Sequence, residues 1–524
     1  MLRYLLNTDN IIFFNLPKFY SFTNHTIYML FNSYEFIFWF LPLSVAVFFI
    51  FGKQDHRLAI AWLVVGSLFF YGWWKWIYIP LIIISILFNY FSGELLRPKP
   101  DMPLKIRKAI LVFGVTFNLV LLGYFKYSNF LIDNLNEFLS TSFSVEKIIL
   151  PLAISFFTFQ QITFLVDMYR GEVRGHGFLK YCLFVTFFPQ LIAGPIVHHK
   201  EILPQFDKEK TWEFCSERFA VGLTFFSIGL FKKIIIADGI SKYANSAFDQ
   251  VSAGVIPNFI EAWSGALSYA FQLYFDFSGY ADMAIGLACM FCIWLPLNFN
   301  SPYKAHNIIE FWRRWHMTLS RFMRDYLYIP MGGGRRGNIL QLRNILLTML
   351  LGGLWHGAGW TFVIWGGLHG LCLVINHLWH NVKKKLGVDL EQSAWWSNWL
   401  SRIFTLLIVS CLWVVFRAEN MGVALTILKS MFGMNYSLEA LSTGIQHNTD
   451  RLIACLILVW FAPNTQQFMS RFVPESYNAN PNSNFLKIKL QWSPNIYWAL
   501  FVAILLVSSI LNLTRINEFL YFQF

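Results

Sequence analysis

The sequence predicts an all-α protein that crosses a membrane many times. Of its 524 residues, 56% are hydrophobic and only 13% are charged, whereas soluble domains usually carry about 25% charged residues. Several apolar runs reach the roughly 20 residues needed to cross a bilayer core. The alternating ten-residue segments of a transmembrane barrel do not occur in the sequence. The lipid bilayer is therefore the expected surroundings of the chain.

The net charge of +12 indicates membrane topology rather than a nucleic-acid partner. Its basic residues lie between the apolar runs, as in cytoplasmic loops. The loop 97–108 has five basic residues and one acidic residue, which predicts the cytoplasmic side. The loop 133–147 has three acidic residues and one basic residue, which fits the opposite side. This alternation places the start of the first span outside.

The apolar runs predict ten to thirteen membrane elements in a single domain over residues 29–524. The twelve spans expected lie at about 34–51, 58–73, 78–96, 109–130, 150–169, 219–237, 259–277, 280–297, 361–379, 400–416, 452–461 and 496–513. Segment 184–195 is apolar but holds two prolines, which favours a re-entrant element as much as a straight span. Residues 1–28, mixed polar and aromatic, are expected to be an N-terminal extension without a cleavable signal.

Residues 306–360 hold the densest arginine cluster of the chain. Aromatic and arginine residues fall on opposite faces of 311–326, which predicts one amphipathic helix with His316 at the border of the faces. Between residues 304 and 343 there are eight basic and two acidic residues. The excess fits a topogenic loop, and it also fits an anion-binding mouth for a phosphate-rich donor such as coenzyme A. The candidate donor ligands are the following four residues: Arg313, Arg314, Arg335 and Arg336.

His356 is the only ionisable side chain in the apolar segment 347–365. Ionisable groups at membrane depth are costly and mark functional sites by default. A histidine of near-neutral pKa can take a proton from a hydroxyl as it attacks a thioester. A structural histidine with satisfied hydrogen bonds is the alternative. No serine or cysteine nucleophile motif is evident, so transfer assisted by a base is the simplest scheme.

Two carboxylates, Asp276 and Asp282, lie in another apolar segment. Pairing with other charges inside the fold is the favoured interpretation, and orienting a histidine or binding an arginine is the alternative. Cys289 and Cys292 have metal-like spacing but no second pair, so we predict core packing and no metal site.

Several segments resemble the membrane-bound O-acyltransferase family, and its alginate O-acetyltransferase branch above all. They are Phe275-Asp-Phe-Ser-Gly-Tyr-Ala-Asp282, Leu297-Asn-Phe-Asn-Ser-Pro-Tyr303, Phe311-Trp-Arg-Arg-Trp-His-Met-Thr-Leu-Ser320, Tyr326-Leu-Tyr-Ile-Pro330 and Leu354-Trp-His-Gly357. The likeness extends to 29–43, 187–195 and 413–417, with core motifs over 150–417. Residues 1–28 have no recognised counterpart in it, and residues 464–495 look idiosyncratic and are candidates for partner or substrate choice.

The resemblance implies a ring of tilted helices around a funnel or tunnel, with His356 as the catalytic histidine and His316 as its partner. It also brings in Asp276, Ser278 and Asn298 as candidate substrate-binding residues. The implied donor is a cytoplasmic acyl thioester such as acetyl-CoA, with no bound cofactor. The implied acceptor is a cell-envelope polysaccharide, reached through an extracytoplasmic SGNH-type acetyltransferase partner at the bacterial inner membrane.

Besides a structural scaffold for a secretion complex, in which His356 would be dispensable, two other functions remain open at this stage. One is D-alanyl transfer to teichoic-acid-type polymers, with a carrier protein as donor. The other is a transporter or channel, which would show inverted repeats; no internal repeat is evident in the sequence.

Overall fold

The computed structural model describes residues 29–98, 100, 102–143, 148–173, 177–192, 194–387, 394–435, 449–478, 490–514 and 520. The expected extension 1–28 lies outside the described residues, and so do residues 479–489 of the connection 464–495. The described part of the chain is helical and contains no strand, which confirms the predicted all-α class.

The described residues form twenty α-helices. They are α1 (Leu41–Gly52), α2 (His56–Lys75), α3 (Ile79–Leu96), α4 (Leu104–Leu139), α5 (Ile154–Arg170), α6 (Phe178–Thr186), α7 (Phe188–Leu191), α8 (His199–Ile202), α9 (Ser216–Phe231), α10 (Asp238–Ser252), α11 (Phe259–Met290), α12 (Ile308–Arg314), α13 (Met317–Met323), α14 (Asn338–His356), α15 (Trp360–Lys385), α16 (Trp395–Arg417), α17 (Met421–Met431), α18 (Thr449–Phe461), α19 (Thr465–Phe468) and α20 (Ile496–Ile510). The turns Phe36–Phe40, Lys232–Ala237 and Arg324–Tyr328 are π-helical.

Five helical segments of the described residues are long and apolar enough to cross a membrane. They are His56–Leu96, Leu104–Leu139, Ser216–Ser252, Trp360–Lys385 and Trp395–Arg417. Three shorter apolar helical segments accompany them, at Phe36–Gly52, Met421–Met431 and Ile496–Ile510. Most of these helices coincide with predicted spans, because long uncharged runs are the clearest signal in a membrane sequence. Helix α17 was not predicted.

Helix α11 is the centre of the fold and corrects one prediction. The two spans expected at 259–277 and 280–297 are one helix of 32 residues, and every residue from Ser268 to Met290 is buried. A helix that is apolar all round belongs inside a bundle. Its glycines do not break it, because they allow close packing against α9. A Cβ atom on Gly279 would lie 2.7 Å from the Gly229 carbonyl oxygen, and one on Gly286 would lie 2.5 Å from that of Gly222.

The two segments with unusual backbone differ in how well they were predicted. Segment 184–195 is broken as expected, because α6 ends at Thr186 and α7 restarts at Phe188, and the described residues there are buried. The single amphipathic helix expected over 311–326 is wrong. The chain breaks between α12 and α13, at Trp315 and His316, and ends in the π-helical turn Arg324–Tyr328.

Candidate active site

His316 lies at the break between α12 and α13. Its backbone is in the left-handed region, with φ +43° and ψ +55°, a conformation that costs a non-glycine residue about 1–3 kcal/mol. Hydrogen bonds on both sides offset this cost. The Met317 N–H donates to the Asn298 carbonyl (2.9 Å), and the Asn300 N–H donates to the Arg314 carbonyl (2.9 Å). Segment 298–300 therefore holds the turn that presents the imidazole.

The Asn298 side chain fixes the tautomer of His316. Its Oδ1 accepts the Thr318 hydroxyl at 2.9 Å and the Thr318 backbone N–H at 3.4 Å, and a backbone N–H is always a donor. The His316 Nδ1, 3.0 Å from the same oxygen, must then donate. The lone pair of the neutral ring consequently lies on Nε2. A histidine held in this way is oriented to accept a proton.

His356 is the last residue of α14, and helix α4 holds the end of that helix. Lys126 Nζ donates to the carbonyls of Trp355 and His356, the latter at 3.2 Å. The Tyr127 hydroxyl donates to the Leu354 carbonyl at 2.8 Å. These bonds satisfy carbonyls that have no partner inside the helix, and the ammonium group complements the negative end of the helix dipole. The position of His356 is therefore fixed through its backbone.

Aromatic rings connect the two histidines. The Trp355 ring centroid lies 4.9 Å from that of His356 and 6.4 Å from that of His316. His356 also lies within electrostatic range of His316. His316 is 1% exposed, whereas His356 is only half-buried and its ring makes no hydrogen bond to any described residue. The structure thus brings together the two predicted histidines, one hydrogen-bonded and one accessible.

The hairpin of α14 and α15 sets this geometry. A Cβ atom on Gly353 would lie 2.3 Å from the Phe362 carbonyl oxygen, and one on Gly366 would lie 2.3 Å from that of Met349. Only glycine permits such an approach of two helices. The close packing places Trp365 of α15 with its ring at 5.2 Å and 90° from the His356 ring.

A third histidine, His369, belongs to the same cluster and was not predicted. It is fully buried, 4.8 Å from the Trp365 ring, and its Nδ1 accepts the Trp312 indole N–H at 3.2 Å. The rule that singled out His356 applies equally to His369, which also lies in an apolar run. Extending the same inspection a few residues beyond Trp365 would have found it.

Asp276 and Asp282 pair with lysines, which agrees with the favoured interpretation. Lys233 Nζ lies 2.8 Å from Asp276 and 2.6 Å from Asp238, and Lys232 Nζ lies 2.6 Å from Asp282. The π-helical turn Lys232–Ala237 lets two consecutive lysines both reach acidic partners. The partners are not the histidines or arginines that the alternative required. Ser278 is buried in the same helix.

The four predicted arginines occupy different surroundings. Arg314 is engaged by Glu310 at 2.7 Å and by the Asn300 carbonyl at 3.1 Å. Arg335 and Arg336 are exposed on the turn before α14 and line none of the cavities beside the histidines. Arg313 is exposed and has no hydrogen bond or ion pair to any described residue.

A cavity of about 980 Å³ reaches from Arg313 to the histidine turn. Met317 and Thr318, the two residues that follow His316, line this cavity. Trp312 also lines it, and its indole N–H donates to His369. Two further cations at its edge are already paired, Arg321 with Glu201 and Arg324 with Asp325. Among the described residues, no group of three or more His, Cys, Asp or Glu side chains is arranged to hold a metal ion.

Histidines placed in this way inside a helical membrane bundle can act as general acids and bases, as a membrane-embedded transferase requires. The model of the membrane-bound O-acyltransferase family matches residues 115–416, and the chain belongs to that family. The resemblance predicted from the motifs is confirmed.

Curated relatives cover most of the chain. It is 45% identical over 435 residues to the peptidoglycan O-acetyltransferase of Helicobacter pylori, across 78% of this chain and 80% of that protein. It is 38% identical over 509 residues to the probable alginate O-acetylase AlgI of Pseudomonas putida, across 95% of this chain and all of that protein. Similarity to the teichoic acid D-alanyltransferase of Streptococcus thermophilus is lower, at 27% over 46% of this chain.

Proposed function

We propose that this protein takes an acetyl group from a cytoplasmic thioester and passes it across the membrane for O-acetylation of a cell-envelope polysaccharide. The observation that carries the proposal is the pair of histidines joined by Trp355, beside a cavity that begins at the unpaired Arg313. Peptidoglycan and an alginate-like polysaccharide are the acceptors to test, because two relatives that cover most of the chain are named for acetylation of these polymers.

The chemistry needs one base and no covalent enzyme intermediate. A histidine Nε2 removes the proton of the acceptor hydroxyl as its oxygen attacks the thioester carbonyl. The C–S bond then breaks, and the same proton passes to the leaving thiolate, so atoms and charge balance. His356 is the accessible group that meets the acceptor, and His316 is the oriented base beside it.

The direction of transfer follows from charge. Lys105, Arg107 and Lys108 begin α4, and Lys383 to Lys385 end α15, which places both ends in the cytoplasm by the positive-inside rule. Lys126, which holds the end of α14, lies about 30 Å further along α4 at 1.5 Å per residue. His356 accordingly belongs to the outer half of the membrane, and the arginine-lined cavity belongs to the cytoplasmic half.

The donor and the partner complete the proposal. Acetyl-CoA is the donor we propose, with Arg313 as the cation at its entrance. Arg314 is held beside it by Glu310, and Arg335 and Arg336 lie outside the cavity, on the turn before α14. We assign a structural role, in place of substrate binding, to the other three predicted site residues. Asn298 orients His316, and Asp276 and Ser278 lie in the buried central helix α11. An extracytoplasmic SGNH-type acetyltransferase is the proposed recipient, and the bacterial inner membrane is the proposed location.

The decisive experiment replaces His356 with Ala in cells that make the envelope polymer. We expect the ester-linked acetyl content to fall to the background of a deletion strain, while the membrane level of the protein stays normal. His56→Ala is the matched control, because His56 stacks on Trp212 and contacts none of the three clustered histidines. Unchanged acetylation in His356→Ala would remove the catalytic assignment.

A further inference from the structure

The chain that leaves α18 runs beside the segment that holds the His316 turn. Hydrogen bonds join every second residue from 460 to 466 to residues 299–304. They link Trp460 Nε1 to the Tyr303 carbonyl (3.1 Å), Lys304 Nζ to the Ala462 carbonyl (2.7 Å), Asn464 Nδ2 to Asn300 Oδ1 and Ser301 Oγ (both 2.9 Å), and Gln466 Nε2 to the Phe299 carbonyl (2.9 Å). The start of the connection 464–495 is therefore bonded to the site segment along its length.

Asn464 uses both ends of its side-chain amide. Its Oδ1 accepts the Gln467 backbone N–H at 2.9 Å, and Gln467 Oε1 accepts the Asn464 backbone N–H at 3.0 Å, which forms a capping box at the start of α19. Because the amide oxygen faces the helix N–H groups, the Nδ2 group is the end left to donate. The cap of α19 therefore directs the donor of Asn464 at segment 299–301.

Thr465 lies between the two amides and anchors α19 to the central helix α11. Its hydroxyl donates to Asp282 Oδ2 at 2.5 Å and accepts from Lys232 Nζ at 2.8 Å. A hydroxyl has a single proton to donate, and here the carboxylate receives it. Three consecutive residues of α19 and its cap thus connect segment 299–301 to the lysine and aspartate side chains of the bundle.

The constraint from α19 reaches His316 through segment 298–301. The backbone of this segment holds the His316 turn, as described above, and the same segment meets α19. Ser301 and His316 both have a left-handed backbone, with φ +48° and +43°. Such residues persist only where the surrounding contacts over-determine them. Asn464 supplies such a contact at Ser301.

Burial makes the two amide contacts costly to lose. Asn464 is 8% exposed and Gln466 is 5% exposed. Removing a donor leaves a buried acceptor of segment 299–301 without its bond, which costs more than losing a bond exposed to water. The segment then shifts, and the His316 turn shifts with it. Rates of group transfer fall steeply when a catalytic group is misplaced.

We propose that Asn464 and Gln466 are positioning residues for acyl transfer, which lock segment 299–301 and with it the turn that presents His316. The proposal rests on the acyl-transfer function above. Neither amide is among the described residues that line the large cavity, so their loss should lower the rate of transfer rather than the affinity for the donor. The start of the connection 464–495 then belongs to the site itself.

The test supplies labelled acetyl-CoA at varied concentration to permeabilised cells that make the envelope polymer, and it measures ester-linked label per molecule of the full-length chain. Asn464→Asp keeps the oxygen that caps α19, because Asp caps helices as well as Asn, but removes the donor to segment 299–301. Gln466→Met keeps a side chain of similar length and removes the other donor. Each is expected to lower kcat about fivefold or more, as loss of a buried hydrogen bond does, while the KM for acetyl-CoA stays within about twofold of normal.

Asn420→Asp is the matched control. Asn420 is exposed and caps α17 in the same way, by accepting the Val423 backbone N–H at 3.0 Å. The same substitution at the same helix position should leave kcat unchanged, because this cap does not hold the His316 turn.

A double-variant cycle with Asn298→Ala separates positioning from loss of stability. If α19 acts through the His316 turn, Gln466→Met should lower kcat much less in the Asn298→Ala background than in the unaltered chain, because both changes disturb the same histidine. A general loss of folded protein would instead lower the rate by the same factor in both backgrounds. Equal factors therefore overturn the positioning role.

The other outcomes are equally decisive. Normal kcat in both single variants overturns the proposal, and so does a raised KM at unchanged kcat, which would assign the contacts to the large cavity through Asn300. If Asn464→Asp does not accumulate in the membrane, Gln466→Met decides alone, and failure of both makes α19 a folding element and overturns the positioning role. Absence of labelled ester with the unaltered chain overturns the acyl-transfer function itself and this proposal with it.

Discussion

Two polar clusters lie inside the same helical bundle, and they are built differently. The lysine–aspartate cluster of Lys232, Lys233, Asp238, Asp276 and Asp282 contains full charges in direct contact. The histidine cluster of His316, His356 and His369 contains no carboxylate, and its rings are held by Asn298, by Trp312 and by aromatic contacts.

The polar groups of the lysine–aspartate cluster contact one another and their neighbours in the fold. Thr465 donates a hydrogen bond to Asp282, and Lys232 contacts both of them, so the start of the connection 464–495 completes the cluster. A buried charge that has lost its partner is costly, which makes such a cluster an obligatory part of the packing. The histidine cluster instead adjoins a cavity and includes the accessible ring of His356. The difference is that the charges of the lysine–aspartate cluster cancel within the fold, whereas the histidine cluster contains no carboxylate and lies beside residues that line a cavity, which is why we assign structure to the first cluster and propose chemistry for the second.

The largest effect on activity should come from the histidine cluster. Replacing His316 with Asn removes the proposed base but keeps a residue type that tolerates the left-handed backbone. We expect the acetylation rate to fall by about 10²–10⁴-fold, the usual contribution of a positioned acid–base group. Thermal unfolding in detergent and the amount of protein in the membrane should change little. Acetylation within about fivefold of normal would return His316 to a structural role.

The largest effect on stability should come from the lysine–aspartate cluster. Lys233→Met removes the ammonium group that Asp238 and Asp276 share, at 2.6 and 2.8 Å, inside the protein. Breaking a buried pair in this way costs about 3–5 kcal/mol, so we expect a strong loss of folded protein in the membrane and a lowered unfolding temperature in detergent. Lys53→Met, at an exposed helix end, is the control. A fully stable Lys233→Met protein would contradict the structural assignment.

The membrane spans and the position of His356 could be predicted from the sequence, but the backbone geometry of α11 and of the His316 turn could not. The spans were predictable because uncharged runs of sufficient length have few other outcomes. The joining of 259–277 and 280–297 into the single helix α11 was not predictable. A glycine such as Gly279 suggests a helix break in a sequence, whereas in the fold it allows close contact with Gly229. The break at His316 was not predictable either, since a left-handed histidine depends on distant bonds from segment 298–300.

Which charged side chains form ion pairs depends on the fold and cannot be read from their charges alone. Arg313 and Arg314 are neighbours with the same side chain, yet only Arg314 meets Glu310. The same limit applied to Asp276, for which pairing was the favoured interpretation but whose lysine partner sits on another helix. Asn298 was carried over from a motif, and its role became evident only through its contacts with His316 and Thr318.

A smaller effect is expected from the group that orients His316. Asn298→Ala removes the acceptor of the Nδ1 proton, so both neutral tautomers become populated and the Nε2 lone pair is no longer assured. A lost hydrogen bond of this kind costs about 1–3 kcal/mol, which corresponds to a fall in kcat of about 5–150-fold. Asn298→Asp keeps an acceptor and should retain more activity than Asn298→Ala. Equal kcat values for the two variants would argue against control of the tautomer.

The smallest effect should come from His369, which is fully buried and acts through its neighbours. It accepts the Trp312 indole N–H and packs on Trp365, which also contacts His356. His369→Phe keeps a ring but leaves the indole N–H without its acceptor, so we expect a fall of several-fold in kcat and little change in KM for the donor. His369→Asn offers an oxygen near the position of Nδ1 and should recover part of the rate. If Phe supports full activity, packing alone positions His356 and the hydrogen bond from Trp312 is dispensable.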